Sequence, residues 1–294
     1  MGKLIRCITD DGAVMMTVTD TTDIVEKAKT IHDTTAVVTA ALGRLLTAAS
    51  MMGNMLKAED NSLTLRIKAD GPTGAVVAVS DYSGNVRGYC ENPHVTIPPK
   101  PNGKLDVSSA VGKNGYLYVL KDIGLKEPYN GVVPLVSGEI AEDITSYYAT
   151  SEQIPTVCAL GVLVNRDRSV ACSGGFIIQL LPSADESTIE KIEKNIENLK
   201  PVTTMLAEGM KLDDIAKTAL KGFNVEILYV QDTAYKCSCS KQRVLNALNT
   251  LSADELNDMA NEMPEIEMSC HFCNKKYRFT PEQVRDIAAK KEKE

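Results

Sequence analysis

Cys237-Ser238-Cys239-Ser240 and, thirty residues later, Cys270-His271-Phe272-Cys273 decide how the C-terminal part of this 294-residue chain folds. Zinc bound tetrahedrally takes four soft ligands at about 2.3 Å, and close cysteine pairs on tight turns supply them two at a time. Cys270-x-x-Cys273 has the knuckle spacing, whereas Cys237-x-Cys239 is one residue tighter than in an ordinary zinc ribbon. Four thiols leave no open coordination position, so the expected site is structural and not catalytic. The plainer reading, four buried or incidental cysteines, fits poorly beside so many Ser, Lys, Asn and His neighbours. His271 is an alternative ligand, but it adjoins Cys270 and has to fold back to reach the same ion.

The surrounding segment, residues 232–294, is short and charged. Ser252-x-x-Glu255 and Thr280-Pro281-Glu282-Gln283 are start signals for two helices. Residues 265–269 and 276–279 read as a small hairpin around the second cysteine pair, and residues 290–294 as a frayed tail. Below about 70 residues a core alone seldom supplies more than about 3–5 kcal/mol. Structural zinc contributes about 10–16 kcal/mol of apparent binding energy in finger peptides. This module is therefore expected to be unfolded, or nearly so, without its metal. Thiolates are also what oxidants attack, so converting the ligands to disulfides expels the ion and melts the module.

Upstream, residues 1–182 read as a mixed α/β domain. Residues 3–9 and 13–19 flank Asp10-Asp11-Gly12, a hairpin signal. Asp23-x-x-Glu26 resembles a capping box opening a helix with Ile24, Ala28 and Ile31 on one face. An apolar helix follows from Thr34. Residues 63–69, 75–80 and 86–90 read as strands joined by Asp70-Gly71-Pro72-Thr73-Gly74 and Ser83-Gly84-Asn85. Residues 115–121 and 131–136 read as further strands, 139–149 as helix, and 156–164 and 169–181 as closing strands. Strands outnumber helices without alternating with them, which favours α+β over a doubly wound sheet.

Pro182 ends this domain, and residues 183–231 read as a helical linker region. Ser183-x-x-Glu186 resembles a capping box. Ile189, Ile192, Ile196 and Leu199 form a narrow apolar stripe that must dock on something else. Residues 212–220 form a second helix ending at Gly222. Met51, Met52, Met55, Met205 and Met210 are flexible enough to suit varied partners, although core packing is the better reading for the first three.

Apolar residues make up 44% and charged residues 24%, an ordinary globular composition. The net charge of −7 argues against a generally basic nucleic-acid binder. Residues 34–56 form the longest weakly charged stretch, but Arg44 lies near its middle, and a central Arg costs about 2.5–3.5 kcal/mol on insertion scales. The stretch reads as a buried helix and not as a membrane span. The first ten residues carry charges where a signal peptide needs an apolar run, so a reducing cytoplasm is expected. Cys7, Cys90, Cys158 and Cys172 lie in strand-like contexts and read as small hydrophobes with no assigned role; His32 and His94 read as structural or surface residues.

The paired motifs Cys237-Ser238-Cys239-Ser240 and Cys270-His271-Phe272-Cys273 resemble those of the redox-regulated heat shock protein 33 family, the 33-kDa chaperonins. Val86-Arg87-Gly88-Tyr89, Pro128-Tyr129-Asn130-Gly131-Val132, Ser151-Glu152-Gln153-Ile154-Pro155-Thr156 and Gly174-Gly175-Phe176-Ile177-Ile178-Gln179 are similar to that family's N-terminal domain. The resemblance implies a cytoplasmic holdase that is inactive while reduced and zinc-bound through Cys237, Cys239, Cys270 and Cys273. It implies that oxidation forms the disulfides Cys237–Cys239 and Cys270–Cys273, with loss of zinc and unfolding of the C-terminal module. It further implies a homodimer in the oxidised form that binds unfolding client proteins without ATP. The chain carries no nucleotide loop and no hydrolytic constellation, in keeping with a protein that is not an enzyme.

Three other readings compete. A zinc-module nucleic-acid-binding protein would use Lys275, Lys276 and Arg278, but the net charge and the long non-basic domain weigh against it. A thiol oxidoreductase would need Cys270-x-x-Cys273 at a helix N-terminus in a thioredoxin-like setting, which the sequence lacks. A zinc deaminase would need His-x-Glu before Pro-Cys-x-x-Cys, also absent.

Overall fold

Asp10-Asp11-Gly12 turns the chain as its residue types require. Gly12 sits at φ 68°, its N–H donates to Thr9 O at 2.8 Å, and the Asp11 carboxylate accepts the Ala13 N–H at 2.9 Å. The turn joins β1 (Gly2–Thr9) to β2 (Val14–Asp20). The structure is a computed structural model and describes residues 1–291. It resolves into two compact units, Met1–Lys236 and the remainder from Cys237.

In the first unit, α1 (Thr22–His32) and α2 (Ala36–Gly53) follow the hairpin. Then come β3 (Ser62–Ala69), β4 (Val76–Asp81), β5 (Val86–Cys90), the short α3 (Val107–Val111), β6 (Gly115–Asp122) and β7 (Tyr129–Pro134). Helix α4 (Ala141–Tyr147) runs into a π-helical turn, Tyr148–Glu152, before β8 (Thr156–Val164) and β9 (Val170–Leu180). Three helices, α5 (Glu186–Glu197), α6 (Val202–Ala207) and α7 (Leu212–Ala219), lead to β10 (Val225–Thr233). The strands form two antiparallel five-stranded sheets, ordered β10-β1-β2-β9-β8 and β5-β4-β3-β6-β7. The fold is α+β, as the strand-rich pattern indicated.

Helix α2 lies between the sheets. Leu42, Leu45, Leu46 and Ala49 share a core with Leu4 and Ile177 of the first sheet and Leu63, Leu65, Leu117 and Val119 of the second. It is the one described helix long and apolar enough to cross a membrane, yet 89% of that window is buried within the protein. Arg44, the charge that spoke against a span, donates to a Glu139 carboxylate oxygen at 2.6 Å. Met51 and Met52 are core residues.

Side chains alternate across the first sheet, so Ile5, Cys7, Val14, Met16, Val18, Phe176 and Ile178 build a second core on its other face. Ile192, Val202, Met205, Ile215 and Ala219 of α5–α7 close it. Helix α6 comes very near the sheet. A Cβ on Gly161 would meet Thr203 Cγ2 at 2.5 Å, and one on Gly174 would meet Leu206 Cδ1 at 2.6 Å. Two glycines thus make room for the covering layer.

Several local expectations need correction. Residues 183–231 are not wholly helical: β10 begins at Val225 and pairs with β1, completing the first sheet. Its partner lies at the other end of the unit, so no local pattern reports the pairing. Ile189 is 38% exposed, whereas Ile192 is buried and Ile196 and Leu199 pack against the second core, so the docked stripe is shorter than the sequence reading. Neither upstream capping box forms as expected. Asp20 accepts the Thr22 N–H at 2.9 Å, and Asp185 caps α5 by accepting the Thr188 N–H at 2.8 Å, while the Ser183 hydroxyl donates to Gly12 O. Helices α3 and α6 had no clear signal.

The second unit holds α8 (Lys241–Leu248), α9 (Ala253–Glu262), the hairpin β11 (Ile266–Ser269) and β12 (Lys276–Phe279), and α10 (Pro281–Lys291). Leu248, Leu256, Ala260, Ile266, Tyr277, Phe279, Val284 and Ala288 form its core. Ser252 and Glu255 cap α9 reciprocally, and Thr280 and Gln283 do the same for α10. Lys290 and Lys291 are helical, which corrects the start of the frayed tail; residues 292–294 lie outside the described residues.

Candidate metal centre

The four thiols come from two short turns held by backbone bonds. Cys270 N–H donates to Lys275 O at 3.0 Å, and the Cys273 and Asn274 N–H groups converge on Cys270 O at 3.3 and 2.8 Å. Asn274 takes φ 55°, the left-handed conformation that Asn tolerates better than most residues and that closes such a knuckle. Residue pairs β11/β12 fix the turn from outside, Ser269 facing Lys276. Cys237 and Cys239 precede α8. Ser240 caps that helix by accepting the Arg243 N–H at 3.2 Å, and Arg243 reaches back to Ser238 O at 3.0 Å.

These turns bring Cys237, Cys239, Cys270 and Cys273 together, with all four Sγ atoms within 4.8 Å of one another. The Cys237–Cys270 and Cys239–Cys273 sulfurs are 3.7 and 3.4 Å apart. All four cysteines are free thiols and half-buried. Sulfurs at about 2.3 Å from one tetrahedral ion stand about 3.8 Å apart, so the donor set and its spacing fit a four-sulfur metal site. His271 is not in the gathered set among the described residues.

Tyr277 is the residue the sequence reading missed. Its hydroxyl donates to Cys239 Sγ at 3.0 Å. Burial raises the Cys239 thiol, but the Tyr277 hydroxyl and the other three thiols outweigh it and bring Cys239 down to about 7. Burial pushes Cys237 up to about 12 and also raises Cys273. The β-strand alternation that buries Tyr277 beside Phe279 carries a faint signal of this contact, since both face the small core that includes Cys239 and Cys270.

The other cysteines stay apart in the first unit. Burial raises Cys7 to about 11 and Cys90 to about 12, and it raises Cys158 and Cys172 as well. Cys172 donates to Thr203 O at 3.3 Å. The basic residues after the knuckle are engaged locally. Lys276 pairs with Glu267 at 2.7 Å, Arg278 contacts Glu265 and Glu267, and Lys275 lies 5.3 Å over the Tyr277 ring.

The fold and the site together define a two-unit α+β protein whose C-terminal unit is built around a four-thiol cluster. Comparison with known proteins narrows this. A sequence profile of the Hsp33 protein family matches residues 2–280, and the chain belongs to that family. The 33 kDa chaperonin of Lachnoclostridium phytofermentans is 50% identical over 90% of this chain and 91% of its own length. That of Clostridioides difficile is 47% identical over 97% of each chain. The crystal structure of the 33 kDa chaperonin from Thermotoga maritima superposes with a TM-score of 0.90 at 36% identity, covering 99% of both chains. Family membership supports a chaperone function.

Proposed function

We propose that this protein is a redox-regulated, ATP-independent, non-enzymatic holdase of the cytoplasm, switched by a zinc ion held by Cys237, Cys239, Cys270 and Cys273. The observation that carries the reading is the convergence of four sulfurs within 4.8 Å in a unit whose core, among the described residues, has eight buried apolar side chains. Zinc bound there supplies a positive charge that keeps the four sulfurs as thiolates and ties the two turns to each other. Tyr277 holds Cys239 in place through its hydroxyl.

Activation is an oxidation of sulfur by a peroxide. In each pair, Cys237 with Cys239 and Cys270 with Cys273, two thiolates lose two electrons to one peroxide, which takes up two protons from solvent. One S–S bond forms, the O–O bond breaks, and two waters leave. With all four ligands consumed, the second unit lacks both its cross-link and enough apolar burial to stay folded. Residues 234–236 join it to β10, with Tyr235 seated in the first core, and on this reading its unfolding loosens the α5–α7 layer over the second core. That exposes Val14, Met16, Phe176 and Ile178, a contiguous apolar patch able to hold an unfolding protein or a second copy of the chain.

The test pairs two measurements on one sample, zinc content and suppression of thermal aggregation of a model client, before and after peroxide at raised temperature. The expected result is about one zinc per chain and no suppression when reduced, then zinc release together with strong suppression. Zinc release with no gain in suppression contradicts the reading and leaves a structural metal alone.

A further inference from the structure

Strand β6 places two rings on the face of the second sheet that points away from α2. Its sequence is Gly115-Tyr116-Leu117-Tyr118-Val119. Leu117 and Val119 enter the core shared with α2, so Tyr116 and Tyr118 stand on the opposite face, with Tyr116 50% exposed. Their ring centroids are 6.3 Å apart. On β3, Arg66 pairs with Tyr118, its guanidinium 5.8 Å over that ring, and Lys68 pairs with Tyr116. Register puts Arg87 and Tyr89 of β5 on the same face. Asp81 and Asp122 lie at the end of that face marked by Ser62, and Asp70 and Glu91 continue it at the other end, where Asp70 accepts the Lys113 and Asn114 N–H groups and Glu91 the Ala75 N–H; Arg66, Lys68 and Arg87 supply the positive charge between them.

We propose that this face binds single-stranded nucleic acid, bases stacking on Tyr116 and Tyr118 while Arg66 and Lys68 meet phosphates. Two aromatics at i and i+2 on an inner strand, preceded by Gly and followed by Val, are shared with the strands by which RNA-recognition domains stack successive bases, with Leu117 standing where those strands carry Gly or Ala. The likeness is of strand spacing, not of fold. A duplex hides its bases, so flat exposed rings select single strands. An apolar peptide gains nothing from Arg66 and Lys68, whereas a polyanion does. The net charge of −7 describes the whole chain and not this face. The surface belongs to the first unit and does not draw on Lys275, Lys276 or Arg278, which are engaged within the C-terminal unit.

Fluorescence anisotropy of the full reduced chain with a short labelled oligouridine tests this, with a matched RNA duplex and inorganic polyphosphate as competitors. Binding is expected at about 50 mM salt, weakening with a log–log slope of about −0.7 for each phosphate contacted. The duplex should compete about tenfold less well than the single strand. Tyr116→Ala should weaken binding about tenfold and Tyr116→Phe should not, since the ring and not the hydroxyl stacks. Arg66→Gln should flatten the salt slope by about one contact. Tyr116 is half exposed, so its variants retain the fold, which an unchanged melting temperature verifies. Absence of binding at low salt, equal competition by polyphosphate, or full binding by a folded Tyr116→Ala/Tyr118→Ala variant overturns the proposal.

Discussion

The unit ending at Lys236 carries two hydrophobic cores on the two faces of one sheet, with α2 buried between that sheet and a second. The unit from Cys237 carries one small core and four gathered thiols. The same element, sulfur, plays opposite parts in the two. Cys7, Cys90, Cys158 and Cys172 are dispersed, and burial keeps them protonated, so they act as small hydrophobes with little reactivity. Cys237, Cys239, Cys270 and Cys273 are half-buried and adjacent, with Cys239 drawn down to about 7. The difference teaches where a switch can be placed. On the proposed function, the region whose order rests on a large core tolerates oxidants, whereas the region whose order rests on metal ligands loses it when those ligands react.

Three variants probe the contrast, beginning with the greatest disturbance. Ile192→Asp with Ile196→Asp sets carboxylates under the α5–α7 layer and removes apolar burial, costing that docking about 4–6 kcal/mol. The expected outcome is client binding by the reduced, metal-loaded protein, read as suppression of thermal aggregation without peroxide. An inactive reduced variant would separate the covering layer from the client surface. Phe279→Ala empties the centre of the small core, where Phe279 is 1% exposed, at a cost of about 3–5 kcal/mol. Protease cleavage after residue 236 should rise strongly and cleavage before it should not. Ser252→Ala removes one half of the α9 capping box and should cost about 1 kcal/mol, visible as a small drop in the melting temperature of the C-terminal unit alone.

How far the sequence carried this account depends on the range of each interaction. The thiol cluster was legible because its spacing and its polar neighbours are local signals. The Ser252/Glu255 and Thr280/Gln283 boxes and the hairpin between them were legible for the same reason. Strand β10 was not, because it becomes a strand only on meeting β1, with Val230 opposite Ile5 across the length of the unit. The Ser183 box failed because Asp185, nearer the start of α5, takes the capping bond, and the Asp23 box failed because α1 already begins at Thr22, which puts Asp23 inside the helix. Tyr277 was overlooked because the alternation of β12 marks it only as buried and does not say that it meets a thiol 38 positions earlier.

Hydrogen exchange read by mass spectrometry, with and without a strong zinc chelator under reducing conditions, puts the central claim to the most direct test. The account predicts that amides in 241–291 lose protection on chelation while those of α2, residues 36–53, keep theirs. Unchanged protection throughout 241–291 after complete metal removal would contradict it.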